Sequence, residues 1–171
     1  MAARTQVSVE EYLRTTYDPD CDYVDGEIVE RNLGERDHSE LQGEIYAYIR
    51  SLRQKLNVYP LIEQRVQVAR TRFRVPDICV VAGSRPTEQI LTVPPLVAIE
   101  ILSKDDRVEQ MQIRINDYLT FGIGYVWVIN PRTRSAWVYT KDGAHEAKDG
   151  MLRTENPAIE LPLPEIFKAL E

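Results

Sequence analysis

The sequence predicts an α/β chain in which a mixed central sheet carries helices on its faces. Three observations lead there. Two long segments repeat apolar residues at helical spacing, several short segments carry the apolar or alternating runs of strands, and the two kinds interleave along the chain. A length of 171 residues suits a single domain over residues 1–171. A content of 43% hydrophobic and 28% charged residues is the balance of a folded globular chain, with enough apolar surface to offset the entropy of ordering.

The elements follow in order. Ser8 to Leu13 reads as a short helix with Ser8 as N-cap and Glu11 three positions on. Asp22 to Val29 carries an Asp25-Gly26 turn between apolar flanks, a hairpin signal. The strongest helix is capped by Asp37, with Leu41, Ile45, Tyr48, Ile49, Leu52 and Leu56 as its stripe, and it ends near Asn57, ahead of Pro60. Leu61 to Ala69 and Phe73 to Val81 read as strands, residues 87–95 as loop, and Leu96 to Leu102 as an apolar strand. After a turn at residues 103–106, Val108, Met111, Ile115, Tyr118 and Leu119 form a second buried helical stripe that Gly122 stops. Tyr125 to Ile129 and Ala136 to Thr140 are strands joined through Asn130-Pro131. Residues 141–143 turn again, and Ile166 to Leu170 is a last apolar pattern.

Composition excludes some roles. The longest apolar run is too short to span a bilayer and the N-terminal residues lack the apolar core of a signal peptide, so no membrane association and a cytoplasmic location are expected. The net charge of −6 argues against coating a polyanion by bulk attraction, although a local basic face remains compatible with it. The densest basic stretch holds Arg70, Arg72 and Arg74, whose alternation predicts a row on one side of a strand, suited to phosphate. Cys21 and Cys79 are expected to be reduced structural thiols, because their spacing to each other, His38 and His145 forms no metal motif. Trp127 and Trp137 are expected in the core.

Two acids carry the chemistry. Asp77 sits in the apolar run from Val75 to Val81, and Glu100 in the run from Val97 to Leu102. A carboxylate in a buried strand loses hydration worth several kcal/mol unless a cation or donors replace it. Two facing carboxylates also repel, so that one tends to keep its proton. A shared divalent ion removes both penalties, and an oxygen-rich pair suits Mg²⁺ or Mn²⁺. Pro76 cannot donate a ladder hydrogen bond, and a bend there would aim Asp77 out of the sheet.

The ordered set of Tyr23 to Glu30, the helix opening at His38, Phe73 to Val81, Pro94 to Ser103 and Asp117 to Pro131 resembles the PD-(D/E)xK nuclease superfamily and, within it, the Uma family of putative restriction endonucleases. The resemblance implies a restriction-endonuclease-like fold, DNA as partner, hydrolysis of phosphodiester bonds dependent on Mg²⁺ (or Mn²⁺), and a homodimer. It implies Asp77 and Glu100 as metal ligands. Leu102 stands where the superfamily has its lysine. Similar families move that lysine to the following helix, four positions before a tyrosine, which here is Arg114 before Tyr118. Arginine can hold a phosphate or a transition-state charge but cannot act as a general base. Lys104 is a substitute if its turn folds back. His38 matches the histidine at the family's helix start, which implies contact with phosphate or a metal-bound water; capping the helix or surface display is the alternative. Glu44 borders the helix stripe, where it either reaches the metal or lies on a solvated helix face. Glu27 matches a family position of unassigned role. Two other readings compete: a catalytically degenerate nuclease-fold module that binds nucleic acid or a partner, favoured by Arg114, and an enzyme acting on another phosphate substrate with the same acids.

Overall fold

The computed structural model describes residues 6–32 and 34–171. Helix α1 (Val9–Arg14) opens as expected, with Ser8 Oγ accepting from the Glu11 N–H at 3.1 Å. The hairpin β1 (Asp22–Val24) and β2 (Glu27–Val29) turns through Asp25 and Gly26, both at positive φ, the geometry that an Asp-Gly pair supplies at little cost. Helix α2 (Arg36–Ser51) starts one residue before the expected cap. Asp37 lies inside the first turn and Glu35 stands at the N-cap with no side-chain bond, so the first-turn carboxylate acts on the helix dipole instead. A short helix α3 (Arg53–Leu56) continues the path and ends at Asn57 in the left-handed conformation, where the stop was expected.

The two long strands anticipated next are each divided. The first becomes β3 (Val58–Ile62) and β4 (Val66–Ala69), separated at Glu63, whose φ is 49°. The second becomes β5 (Arg72–Arg74) and β6 (Ile78–Ala82), separated at Val75-Pro76-Asp77. The halves belong to different sheets. A four-stranded sheet has the order β2-β1-β5-β4. A six-stranded sheet has the order β10-β9-β8-β7-β6-β3, from β7 (Val97–Ile101), β8 (Tyr125–Asn130), β9 (Ser135–Thr140) and β10 (Gly143–Glu146). Only the pair β7 and β8 is parallel in that sheet, with helix α4 (Val108–Phe121) as the crossover between them, so the sheet is mixed. Pro60 is accommodated because β3 is an edge strand.

The six-stranded sheet is covered on both faces. Leu41, Ile45 and Ile49 of α2 pack with Ile78, Val80, Val97, Ile99, Ile101, Trp127 and Ile129 on one side. Ile115 and Tyr118 of α4 pack with Cys79, Ala98, Val126 and Val128 on the other. The four-stranded sheet has its own aromatic cluster, in which Tyr12 of α1 lies 5.0 Å from Tyr23 and 5.4 Å from Phe73 between ring centroids. A C-terminal hairpin, β11 (Met151–Arg153) and β12 (Glu160–Pro162), followed by α5 (Leu163–Phe167) and a 3₁₀ turn, closes the α2 side; the apolar pattern at Ile166 to Leu170 marks burial there but assigns neither the hairpin nor the helix. Two expected core residues lie outside. Val108 is 86% exposed because it occupies the first, projecting turn of α4, and Trp137 is 42% exposed because it alternates to the outer face of β9. Among the described residues no helix is long and apolar enough to cross a membrane.

Candidate active site

Asp77 and Glu100 come together through strand register. Ile78 pairs with Ile99 and Cys79 with Ala98, which puts Asp77 opposite Glu100 one step further along the antiparallel β6–β7 ladder. Side chains alternate across a strand. Asp77 therefore shares the face of Cys79, and Glu100 that of Ala98, which is the face covered by α4. Both acids are buried, at 4% and 1% exposure, and both line one cavity of about 400 Å³. Pro76 sits at the crossing from the four-stranded sheet to the six-stranded one, so Asp77 is delivered at the mouth of the ladder rather than within it.

Each carboxylate oxygen has a donor. Asp77 Oδ1 accepts from Arg31 Nη2 at 2.7 Å, and Oδ2 accepts from the Ile101 N–H at 2.7 Å with His38 Nε2 at 3.2 Å. Glu100 Oε1 accepts from the Tyr118 hydroxyl at 2.5 Å, and Oε2 from Arg114 Nη1 at 3.0 Å. Arg114 is held from two sides, its Nη2 donating to Asp22 Oδ2 at 3.0 Å. Asp22 is fully buried and also accepts from Arg74 Nη1 and from the Val75 N–H. Gln42 Nε2 donates to the Asp77 carbonyl at 3.0 Å, tying α2 to the start of β6.

These surroundings push the two acids apart. Burial opposes the Asp77 charge, but the His38 hydrogen bond and charge, the Arg31 guanidinium and the Ile101 N–H outweigh it and hold the carboxyl below its ordinary range. Burial raises Glu100 to about 7; the Arg114 charge and the Tyr118 hydrogen bond work against that rise, and the Asp77 charge adds to it. Burial likewise opposes the charge on His38, yet its contact with Asp77 leaves the imidazole raised overall. Burial and the nearby Glu100 charge raise Tyr118, so its hydroxyl stays protonated as a donor. Acids separated in this way are a common mark of a working site.

The donor set fits a hard divalent cation. Once both are ionised, the two carboxylates offer about eight lone-pair sites, and five donors reach them, so oxygen lone pairs remain. The cavity lining holds six carboxylates (Glu27, Glu30, Glu63, Asp77, Glu100, Asp106) against the guanidiniums of Arg31, Arg74 and Arg114 and the His38 imidazole. Among the described residues no three His, Cys, Asp or Glu side chains form a ready metal cluster. Any ion there would complete its shell with water or substrate oxygens, as Mg²⁺ commonly does.

Of the residues singled out by sequence, Asp77, Glu100, His38 and Arg114 converge here, and Glu27 lines the same cavity. Glu44 does not. On α2 the arc of His38, Gln42, Ile45 and Ile49 faces the sheet and cavity, and Glu44 lies further round, beyond Leu41, exposed to solvent. Gln42 takes the inward place instead. Lys104 also stays away: its side chain is 70% exposed and reaches toward Glu35 at 3.8 Å. The expected row of phosphate-facing arginines is already neutralised. Arg72 pairs with Asp25 and Asp117, while Arg74, 4% exposed, pairs with Asp22 and Asp117; Arg70 is exposed on the turn between β4 and β5. Asp22, Arg31 and Gln42 are site residues that the sequence did not single out. Asp22 carried the same signal as Glu100, an acid at an apolar strand, but next to a turn it reads as a turn residue.

A solved structure described as a putative nuclease belonging to DUF820, from Anabaena variabilis ATCC 29413, has the same fold. It is 23% identical, with a TM-score of 0.86, and the match covers 96% of this chain and 99% of that one. No curated protein matches the chain. The Uma2 family model, described as "Putative restriction endonuclease", matches residues 9–171. The chain belongs to the Uma2 family.

Proposed function

We propose that the chain is a nuclease that hydrolyses phosphodiester bonds of DNA with Mg²⁺ or Mn²⁺ held between Asp77 and Glu100. The observation that carries this reading is the pair itself: two buried carboxylates at facing register positions, opening on one acidic cavity, with their proton affinities driven in opposite directions. Each acid already has a cationic side chain beside it, and the lone pairs left over on the pair are what a divalent ion would use. A bound divalent ion would supply Lewis acidity, lowering the pKa of water and offsetting charge on phosphoryl oxygens.

The protein's own groups then divide the remaining work. Asp77 stays ionised and is oriented by the Ile101 N–H and the Gln42 contact to its carbonyl. Glu100 is fixed by Tyr118 and Arg114. Arg114 keeps its charge at any pH and, held rigidly by Asp22, presents a fixed positive field where negative charge would build on the phosphate. It cannot take the proton of an attacking water. His38, with Nε2 at Asp77, is the imidazole placed to hold a proton at the cavity.

Supercoiled plasmid nicking with Mg²⁺ or Mn²⁺ tests the reading. Asp77→Asn and Glu100→Gln keep shape and remove charge. Both are expected to lower cleavage by at least about 100-fold, the scale of losing a group central to transition-state stabilisation. Cleavage that persists in either variant, or that needs no divalent ion, rules the proposal out. One observation favours a second reading, a catalytically degenerate nucleic-acid-binding module: among the described residues no lysine lines the cavity, and Arg114 in its place is gripped by two acids. Absent cleavage together with a gel shift on DNA would select it.

A further inference from the structure

Three cationic side chains touch the acid pair, and they are not held alike. Arg114 sits between Asp22 and Glu100, with both contacts at 3.0 Å and one of those acids fully buried. His38 meets Asp77 at 3.2 Å from within α2. Arg31 belongs to no helix or strand. It lies on the connection between β2 and α2, and its neighbour Asn32 reaches across the cavity mouth to Asp106 Oδ1 at 2.8 Å. Its side chain is only 8% exposed, and its strong contact is the 2.7 Å bond to Asp77 Oδ1. Its other partner, Glu63, is 3.4 Å away and 43% exposed.

We infer that Arg31, through its bond to Asp77, competes with a divalent ion for that carboxylate and is the phosphate-binding residue of the site. The inference rests on the nuclease reading above. A divalent ion on Asp77 would stand a few ångströms from the guanidinium, and two positive groups on one carboxylate in a secluded cavity repel strongly. Arg114 is held more firmly, because leaving would break its contacts to two buried acids, Asp22 and Glu100, at once. Arg31 can yield, because its backbone is loop and its second partner is a partly solvated carboxylate. Once off Asp77, its planar fork faces the cavity with a surplus positive charge, and a phosphate diester is the anion that its geometry matches in two-point contact. The same residue thus keeps Asp77 compensated before the ion arrives and supplies the anion site afterwards.

The inference predicts effects of opposite sign from one substitution. Mn²⁺ binding to the substrate-free chain is measured by titration calorimetry for wild type, Arg31→Gln and Arg31→Lys, beside KM and kcat for cleavage of a DNA oligonucleotide. Arg31→Gln is expected to bind Mn²⁺ roughly tenfold tighter, through loss of a competing unit charge, and to raise KM roughly tenfold through loss of a charge-assisted phosphate contact. Arg31→Lys keeps the charge and loses the fork, so its Mn²⁺ affinity should stay near wild type while KM rises. Unchanged or weaker Mn²⁺ binding by folded Arg31→Gln overturns the inference and leaves the nuclease reading standing. Mn²⁺ binding tightened as much by lysine as by glutamine also overturns it. If glutamine prevents folding, the lysine variant decides: a raised KM at unchanged Mn²⁺ affinity supports the inference, and an unchanged KM overturns it. A wild-type chain that neither binds Mn²⁺ nor cleaves removes the nuclease reading itself, and this inference with it.

Discussion

Asp22 and Tyr118 each hold a group of the candidate site, but by different physics. Asp22 has no exposed surface and accepts from two guanidiniums and a backbone N–H. Tyr118 donates a single hydrogen bond to Glu100. Replacing Asp22 by asparagine leaves two buried positive charges without their common counter-ion, a loss expected near 3 kcal/mol or more. Tyr118→Phe removes one donor from a buried carboxylate oxygen, expected to cost about 1–2 kcal/mol. Urea denaturation of the two variants checks the order, and a Tyr118 loss as large as that of Asp22 would contradict this account of the site. The same contrast explains what could be read in one dimension. Asp77 and Glu100 announce themselves because a charge inside an apolar strand is visible without a partner. Arg31 and Arg114 find Asp77 and Asp22 across 46 and 92 positions, a pairing that spacing does not carry. Arg114 was found by family likeness, and Arg31 was not found at all.

At the scale of elements, chain reversals were legible and sheet membership was not. The Asp25-Gly26 turn, the stop at Asn57 and the stop at Gly122 all follow from residues that tolerate positive φ. The expected strand from Leu61 to Ala69 hides the point where the chain leaves one sheet for the other: β3 buries Val58 and Pro60 and β4 buries Val66 and Val68 with the same period, and period alone says nothing of what they are buried against. The outer position of Trp137 went unseen for a related reason, since one-residue parity decides its face. Gly122 offers a test of how firmly an element end is set. It sits at φ 110° as the cap of the helix that carries Arg114 and Tyr118, and a Cβ there would meet Pro94 Cγ at 3.3 Å. Gly83 sits at φ 90° with nothing within 4 Å of such a Cβ. Gly122→Ala should cost about 1–2 kcal/mol, a fall in Tm of roughly 3–6 °C for a chain of this size. Gly83→Ala, with the backbone strain alone, should cost less. Thermal melts followed by circular dichroism compare them, and equal losses would mean that the Pro94 contact relaxes freely.

Across the whole molecule, an alternating ladder of charges joins the two sheets. Asp25 pairs with Arg72, Arg72 with Asp117, Asp117 with Arg74, Arg74 with Asp22, Asp22 with Arg114, and Arg114 with Glu100. The path starts at the exposed hairpin turn, passes through β5 and α4, and ends on β7 beneath the cavity. Its surface end is open to solvent and contributes little, since such pairs are screened and their side chains cost entropy to order. Its inner end is different. The Arg74 side chain is 5% exposed and has two carboxylates, Asp22 at 0% and Asp117 at 10%. Removing either acid leaves the guanidinium one counter-ion, and removing both leaves a buried charge with none. Asp22→Asn and Asp117→Asn should therefore not add. The double variant is expected to be less stable than the sum of the two losses by about 1 kcal/mol or more, as for residues that share one partner. A double-mutant cycle in urea measures that excess directly. Strict additivity would mean that Arg74 rests on only one of the two acids, leaving Asp22 with Arg114 as the charged link from the four-stranded sheet to the candidate site.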